Sequence, residues 1–332
     1  MSSSLSWRRL GALTLAAALL AGCGSTDSDD TSGEAADTRV FAADNGDITI
    51  PIEPERVVAT GYAVPALIEA DAELVGISTW ERGLALMTEE DKATYDDLDK
   101  VAGESADETN YEAIGEADPD LIIIGVPVPA LVDIDMDRLE SIAPVVVLGP
   151  STPDAWRELS ERQADAAGQL ENFEAARDAY DERAAELKKK YADALDGMDF
   201  GHVGSYGDVE AGTFQREFAG SWGTNIAQDI GATYYGEVAK KGGGGLDVSE
   251  YPSIEQLGES LGDAEAITYS MEPDGSVSEP VQYVLDSGVW DSLPAVKAGK
   301  VFPIRYSLAA TYPSAMLTLD ALDEAFAPLL KK

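Results

Sequence analysis

One cysteine and one histidine, Cys23 and His202, stand among 332 residues, and those two counts limit the chemistry open to the chain. A zinc or manganese site built on several imidazoles is excluded, because such sites draw on clustered His and Cys donors. A Ser-His or Cys-His nucleophile pair would need His202 itself as its base. No serine sits in the G-x-S-x-G turn that exposes a nucleophile above a sheet. Gly242 to Gly245 follow Lys240 and Lys241 but lack the G-K-[ST] of a phosphate loop, and read as a flexible surface turn. Paired carboxylates carry no signal among 62 acidic residues. These residue types give no visible catalytic machinery, and the expectation is that the chain is not an enzyme.

The cysteine has its own context. Arg8 and Arg9 precede an apolar run from Leu10 to Leu20, followed by Ala21-Gly22-Cys23, which is the order of a cleaved export signal over residues 1–22. An apolar run of about a dozen residues falls short of the roughly 20 a membrane-spanning helix needs. Leu20-Ala21-Gly22-Cys23 resembles a bacterial lipobox, and the resemblance implies that Cys23 is lipidated and holds the protein to the outer face of the cell membrane. Residues 23–38 are mostly Ser, Thr, Asp, Gly and Glu; they have too little apolar surface to order themselves and read as a disordered tether. Sixty-two acids against 23 Lys and Arg leave a formal charge of −39, which argues against nucleic acid as a partner and mildly favours a neutral or cationic ligand.

The remaining chain must position whatever binds. Arg56–Thr60, Leu74–Ser78, Leu121–Gly125 and Val145–Leu148 are continuous apolar runs, the pattern of parallel strands buried on both faces. Short helical stretches separate them: Pro65–Ala70, Tyr111–Ala117 and Met136–Ile142. An α/β lobe is therefore expected over residues 39–152. Residues 153–196 form a helical region with a break at Gly168. Phe173, Ala176, Tyr180, Ala184, Leu187 and Tyr191 make one stripe on a helix from about Asn172 to Leu195, on the order of 36 Å long, enough to run between lobes. Alternation restarts over residues 197–332, with helices expected at Trp222–Ile230, Ser253–Leu261, Val281–Leu285 and Ser314–Leu329. Strands there are expected at "HVGSYG", Ala266–Ser270 and Lys300–Ile304. The fold class is α/β: two Rossmann-like lobes flanking one long helix.

In order, "PIEPERVVATG", "NYEAIGEADPDLIIIG", "LESIAPVVVL", the helix after "WRELSERQADAAGQ", "SIEQLGESLGDAEAITYS" and "VWDSLPAVKAGKVFPI" resemble the substrate-binding lipoproteins of iron-siderophore and vitamin B12 ABC importers. The likeness covers nearly all of residues 40 to 330. It implies the class III periplasmic-binding-protein fold, in which two lobes are joined by a single backbone helix. It also implies a monomer without cofactor that captures an iron chelate and delivers it to a permease and ATPase complex.

In this class the ligand sits between the lobes, at loops following the C-terminal ends of strands. In the first lobe those loops carry Tyr62, Trp80 and Arg82. In the second they carry Tyr206, Phe214, Arg216 and Trp222, then Tyr269, Arg305 and Tyr306. The set is aromatic with a few arginines, which suits a ferric siderophore whose own oxygens already fill the iron: flat apolar surface for the chelate body and guanidinium forks for its oxygens. The small number of arginines and the acidic charge favour a hydroxamate over a multiply anionic catecholate. Cobalamin and haem remain alternatives. The class also docks its permease through one acidic residue on each lobe. Glu255 matches that pattern in "SIEQL"; the first lobe has no glutamate after "LIIIG", and Asp133 is the substitute.

Overall fold

The computed structural model describes residues 37–330, so the expected signal peptide, Cys23 and nearly all of the expected tether lie outside the described residues. Thr38, assigned above to the tether, already belongs to a strand. Strands β1 (Thr38–Ala43) and β2 (Gly46–Pro51) form an antiparallel hairpin that the sequence did not lead us to expect. Its turn lies beside Val145 and Val147: the Asp44 N–H donates to the Val147 carbonyl at 2.9 Å, and the Asn45 amide bonds the Val145 carbonyl and the Val147 N–H. The hairpin thus satisfies backbone groups that a bare sheet edge would expose.

The first sheet contains β3 (Val57–Gly61), β4 (Leu74–Ser78), β5 (Lys100–Ala102), β6 (Leu121–Gly125) and β7 (Val145–Val147), in the order β5-β4-β3-β6-β7 with every pairing parallel. β3, β6 and β7 are buried throughout, as their unbroken Val and Ile content demands. Sequence order reverses between β3 and β6, the place where open α/β sheets leave a crevice. Two glycines allow the chain to close there. A Cβ on Gly61, whose φ is +58°, would stand 2.6 Å from the Gly125 carbonyl oxygen, and one on Gly125 would stand 2.3 Å from the Ala63 nitrogen. Acidic residues end the helices that follow β3 and precede β6: Asp71 and Asp118 adopt φ of 54° and 47°, the left-handed conformation that Asp and Asn accept more readily than other side chains.

The second sheet is built from β8 (Asp199–Gly204), β9 (Gln215–Glu217), β10 (Thr233–Tyr234), β11 (Ser249–Glu250), β12 (Ala266–Met271) and β13 (Val301–Arg305). β10, β8, β12 and β13 run parallel, while β9 returns antiparallel along the end of β8 and β11 pairs antiparallel with β9. Between the sheets in sequence lies the helix Leu170–Leu195, whose 26 residues span about 39 Å at 1.5 Å each. Gly168, at φ +73°, separates it from the helix Trp156–Ala166. The expected stripe is observed, with Phe173, Tyr180, Ala184, Leu187 and Tyr191 buried and Ala176 packed at its edge. The stripe lies mostly on the second sheet's side, against Phe200, Phe302 and the C-terminal helix Tyr312–Phe326. The beginning of the helix also reaches the first sheet's layer, where the Asn172 side chain donates to the Ala70 carbonyl at 3.0 Å.

Candidate functional site

The loops at the C-terminal ends of both sheets converge on a cleft. From the first sheet come Tyr62, immediately after β3, and Trp80 with Arg82 after β4; from the second come Tyr206 after β8 and Trp222 after β9. Tyr62 and Trp222 face one another with ring centroids 6.4 Å apart and planes 8° from parallel. Trp80 meets the edge of Tyr62 at 4.8 Å, and the Arg82 guanidinium lies 4.6 Å from the centre of the Trp80 ring. Five of the ten residues proposed from sequence therefore share one wall. Tyr306 lies nearby. It borders an adjoining hollow that also touches Arg82, Leu86 and Leu308, and its backbone is left-handed at φ 60°.

Each ring is held by its local sequence. The Trp80 backbone N–H donates to the Tyr95 hydroxyl at 2.9 Å. Trp80 lies across Gly83, where a Cβ would stand 2.0 Å from the indole nitrogen, so residue 83 must lack a side chain. In the second lobe the Tyr206 N–H donates to the Gln215 side-chain oxygen at 2.9 Å. Trp222 is followed by Gly223, whose N–H donates to Glu217 Oε2 at 2.7 Å. Burial raises the pKa of the Tyr62 phenol, with Arg82 pulling the other way; burial likewise raises that of Tyr206. Both therefore present neutral hydroxyls to a ligand near pH 7. Arg82 keeps its charge toward solvent in an ion pair with Glu104.

Four expected cleft residues lie elsewhere. Phe214 is fully buried among Val203, Leu257 and Val281. Arg216, only 1% exposed, is an internal strut: its guanidinium sits 4.7 Å and 4.9 Å from the Phe218 and Tyr235 ring centres and donates to the carbonyls of His202, Glu217 and Tyr235. Tyr269 sits within β12 and packs against the same apolar cluster as Phe214. Arg305, the last residue of β13, pairs with Glu324 of the C-terminal helix at 2.7 Å. The reason is shared. Position after a strand aims a loop at the crevice, but Phe214 immediately precedes and Arg216 lies within a strand returning along the sheet, Tyr269 lies within a strand, and Arg305 lies beside a helix that supplies an acid.

The cleft also contains residues the sequence did not suggest: Glu69 from the helix Ala63–Glu69, and Ala310, Thr311 and Ser314 around the start of the C-terminal helix. The signal for the last three was present in Thr311-Tyr312-Pro313-Ser314, where Thr311 caps the helix and accepts from the Ser314 N–H. Such a cap places the preceding loop at a strand's C-terminal end. Away from the cleft, Glu255 is exposed in the single turn Ile254–Gln256, and Asp133 is exposed at the end of Val128–Asp133. His202 is fully buried, with its ring nitrogens at 2.7 Å from Thr268 Oγ1 and 3.1 Å from Ser270 Oγ. Burial, followed by the Arg216 charge, depresses its pKa to about 3, so it stays neutral inside the sheet.

Residues 57–200 match the periplasmic binding protein family. The chain is 31% identical to the siderophore periplasmic binding protein from the fuscachelin gene cluster of Thermobifida fusca, covering 83% of this chain and 97% of that one with a TM-score of 0.67. It is 24% identical to the iron(3+)-hydroxamate-binding protein YxeB of Bacillus subtilis (strain 168), over 88% of this chain and 87% of the relative. The fold of Staphylococcus aureus SirA, solved with staphyloferrin B, is also similar, at 21% identity and a TM-score of 0.64 over 88% of this chain and 98% of that one. Two α/β sheets, the first all parallel and the second mixed, linked by one long helix are the class III architecture expected from the sequence. With the extent of the match to the Thermobifida protein, the chain belongs to the periplasmic binding protein family.

Proposed function

We propose that this protein is an extracytoplasmic receptor that captures an iron(III)-siderophore of the hydroxamate type and delivers it to an ABC importer. The observation that carries this reading is the cleft wall, in which Tyr62 and Trp222 from the two sheets stack near-parallel beside Trp80 and Arg82. Such a wall offers flat apolar surface to a chelate body and a guanidinium to its oxygens. Among the described residues no three His, Cys, Asp or Glu side chains converge as a metal-binding group. The names of the Thermobifida and Bacillus relatives support the same ligand class. In this reading Tyr62, Trp80, Arg82, Tyr206, Trp222 and Tyr306 bind ligand, Cys23 carries the lipid anchor, and Glu255 and Asp133 dock the permease. The receptor works as a monomer, and it catalyses nothing.

The test is intrinsic tryptophan fluorescence of the soluble fragment, titrated separately with ferrioxamine B, ferric enterobactin, haemin and cobalamin. Saturable quenching by ferrioxamine B at submicromolar concentration, weakened in Trp222→Phe, is the expected result. Saturation by haemin or cobalamin with no response to ferrioxamine B would overturn the hydroxamate reading. Glu255→Ala should leave that affinity unchanged while uptake by cells falls.

A further inference from the structure

The cleft contains a carboxyl group that the proposed ligand contacts leave unused. Glu69 ends the helix Ala63–Glu69 and lines both the cleft and a narrow crevice near Phe173 and Tyr312. Its hydrogen bond comes across from the second lobe, where Thr311 Oγ1 donates to Oε1 at 2.9 Å. The described residues give it no ion pair. Arg82, the one Arg or Lys on the cleft wall, is instead paired with Glu104. Burial, opposed by the Thr311 bond and reinforced by Asp91, pushes the Glu69 carboxyl up to about 8. A partly buried acid left without a cation is costly to ionise. A positively charged ligand group would reverse that cost.

The surroundings suit such a group. Tyr62, Trp80 and Trp222 line the same cleft, and the faces of aromatic rings attract ammonium ions, more strongly where water is excluded. We infer that Glu69 and this aromatic wall form an ammonium subsite, so that the cleft prefers a chelate carrying a protonated amine to the same chelate without one. The inference rests on the siderophore reading above and adds to it which ligands are preferred. Arg82 and Glu69 then divide the ligand: the guanidinium takes chelate oxygens, and the carboxylate takes the pendant amine.

Ferrioxamine B, whose free amine is protonated near neutral pH, and its N-acetyl derivative, which has lost that charge, test the subsite. Both are titrated by tryptophan fluorescence into the soluble protein and into Glu69→Gln. The glutamine retains an oxygen to accept from Thr311, and a melting curve checks that the variant folds. The expected result is about tenfold tighter binding of ferrioxamine B by the parent protein, with the two ligands equal in Glu69→Gln because only the charged one has lost affinity. Equal affinities in the parent protein would overturn the subsite, as would a preference that survives Glu69→Gln, and Glu69 would then be only a strap to Thr311. Both outcomes leave the siderophore reading intact. Binding of neither ligand would overturn that reading and the subsite with it.

Discussion

The two sheets bring aromatic rings to the same cleft by different means. In the first, Trp80 is part of an apolar cluster with Val57, Ala59, Ile77 and Ile123, and Tyr62 packs against it; the wall is held by close packing. Beneath Trp222 and Tyr206 the second sheet buries polar groups. His202, Gln215, Arg216, Glu217, Thr268 and Ser270 are each no more than 3% exposed, and Gln215 and Glu217 reach out to hold the Tyr206 and Gly223 N–H groups. Packing tolerates changes of pH and resists changes of volume. A buried polar network is sensitive to both, because each member left unpaired carries a desolvation penalty. The second wall is therefore the more fragile support of the cleft.

The largest effect expected from this contrast is that of Gly223→Ala. The new Cβ would stand 2.0 Å from His202 Nε2 and 2.8 Å from Glu217 Oε2. His202 is packed and hydrogen-bonded on both nitrogens and has nowhere to go. The clash should cost about 3 kcal/mol or more, lower the melting temperature by several degrees, and reduce chelate affinity at least tenfold as Trp222 is displaced. Gly83→Ala challenges the first wall in the same way, through Trp80. Comparable loss of melting temperature in both variants would erase the distinction between the walls.

Removing a ring should weaken chelate binding. Tyr62→Ala and Trp222→Ala each take away one side of the stack and should each weaken chelate binding about tenfold, or 1.4 kcal/mol. The rings are 6.4 Å apart, so the double variant should fall short of the sum of the two losses. Titration of all three variants measures the coupling, and strict additivity would mean that the rings do not serve one ligand.

The first wall was readable in the sequence and much of the second was not, for the same physical reason. Tyr62, Trp80 and Arg82 follow strands whose apolar runs leave no doubt about where each ends, and the long helix announced itself by its stripe from Phe173 to Tyr191. Arg216 and Glu217 look like surface charges in "GTFQREFAG". They are buried because an antiparallel return along β8 encloses them, a pairing that single-residue types do not encode. Glu69 was hidden in an ordinary amphipathic helix and acquires its place only from contact with Thr311, 242 positions later.

The pH dependence of stability sharpens the comparison at smaller scale. Burial, opposed by the Gly223 bond, Ser221 and Arg216, raises the Glu217 carboxyl to about 7 from an ordinary value of 4.5. The folded protein then holds the extra proton. That stability is fully present below about pH 4.5 and is lost as pH rises through about 7. His202 runs the opposite way. It is faced by Thr268, Ser270, Glu217 and Arg216, and its value lies near 3 instead of 6.5, so its contribution is lost as pH falls from about 6.5 toward 3. Glu69, raised to about 8, slopes the same way as Glu217, so the two acids outweigh His202 and stability should decline from about pH 4.5 upward. Glu217→Gln, whose amide oxygen still accepts from Gly223, should flatten the curve between about pH 4.5 and 6.5, where Glu69 and His202 then cancel, and leave the decline toward pH 8 to Glu69. Melting curves from pH 4 to 8 check this, and an undiminished decline in the variant would assign all of it to Glu69.

Arg305→Ala should do least. Sequence position placed Arg305 at the cleft, but its guanidinium pairs with Glu324 on the C-terminal helix. That pair is partly open to water, and exposed ion pairs contribute about 0–1 kcal/mol. Chelate affinity should be unchanged, with a melting temperature within about a degree or two of the parent. Arg82→Ala is the matched control, since its guanidinium lies on the Trp80 ring at the cleft wall; its affinity should fall while its stability holds. A drop in affinity for Arg305→Ala equal to that of Arg82→Ala would mean that the second sheet reaches the ligand through β13 as well as through Trp222, and the cleft would be wider than its present wall.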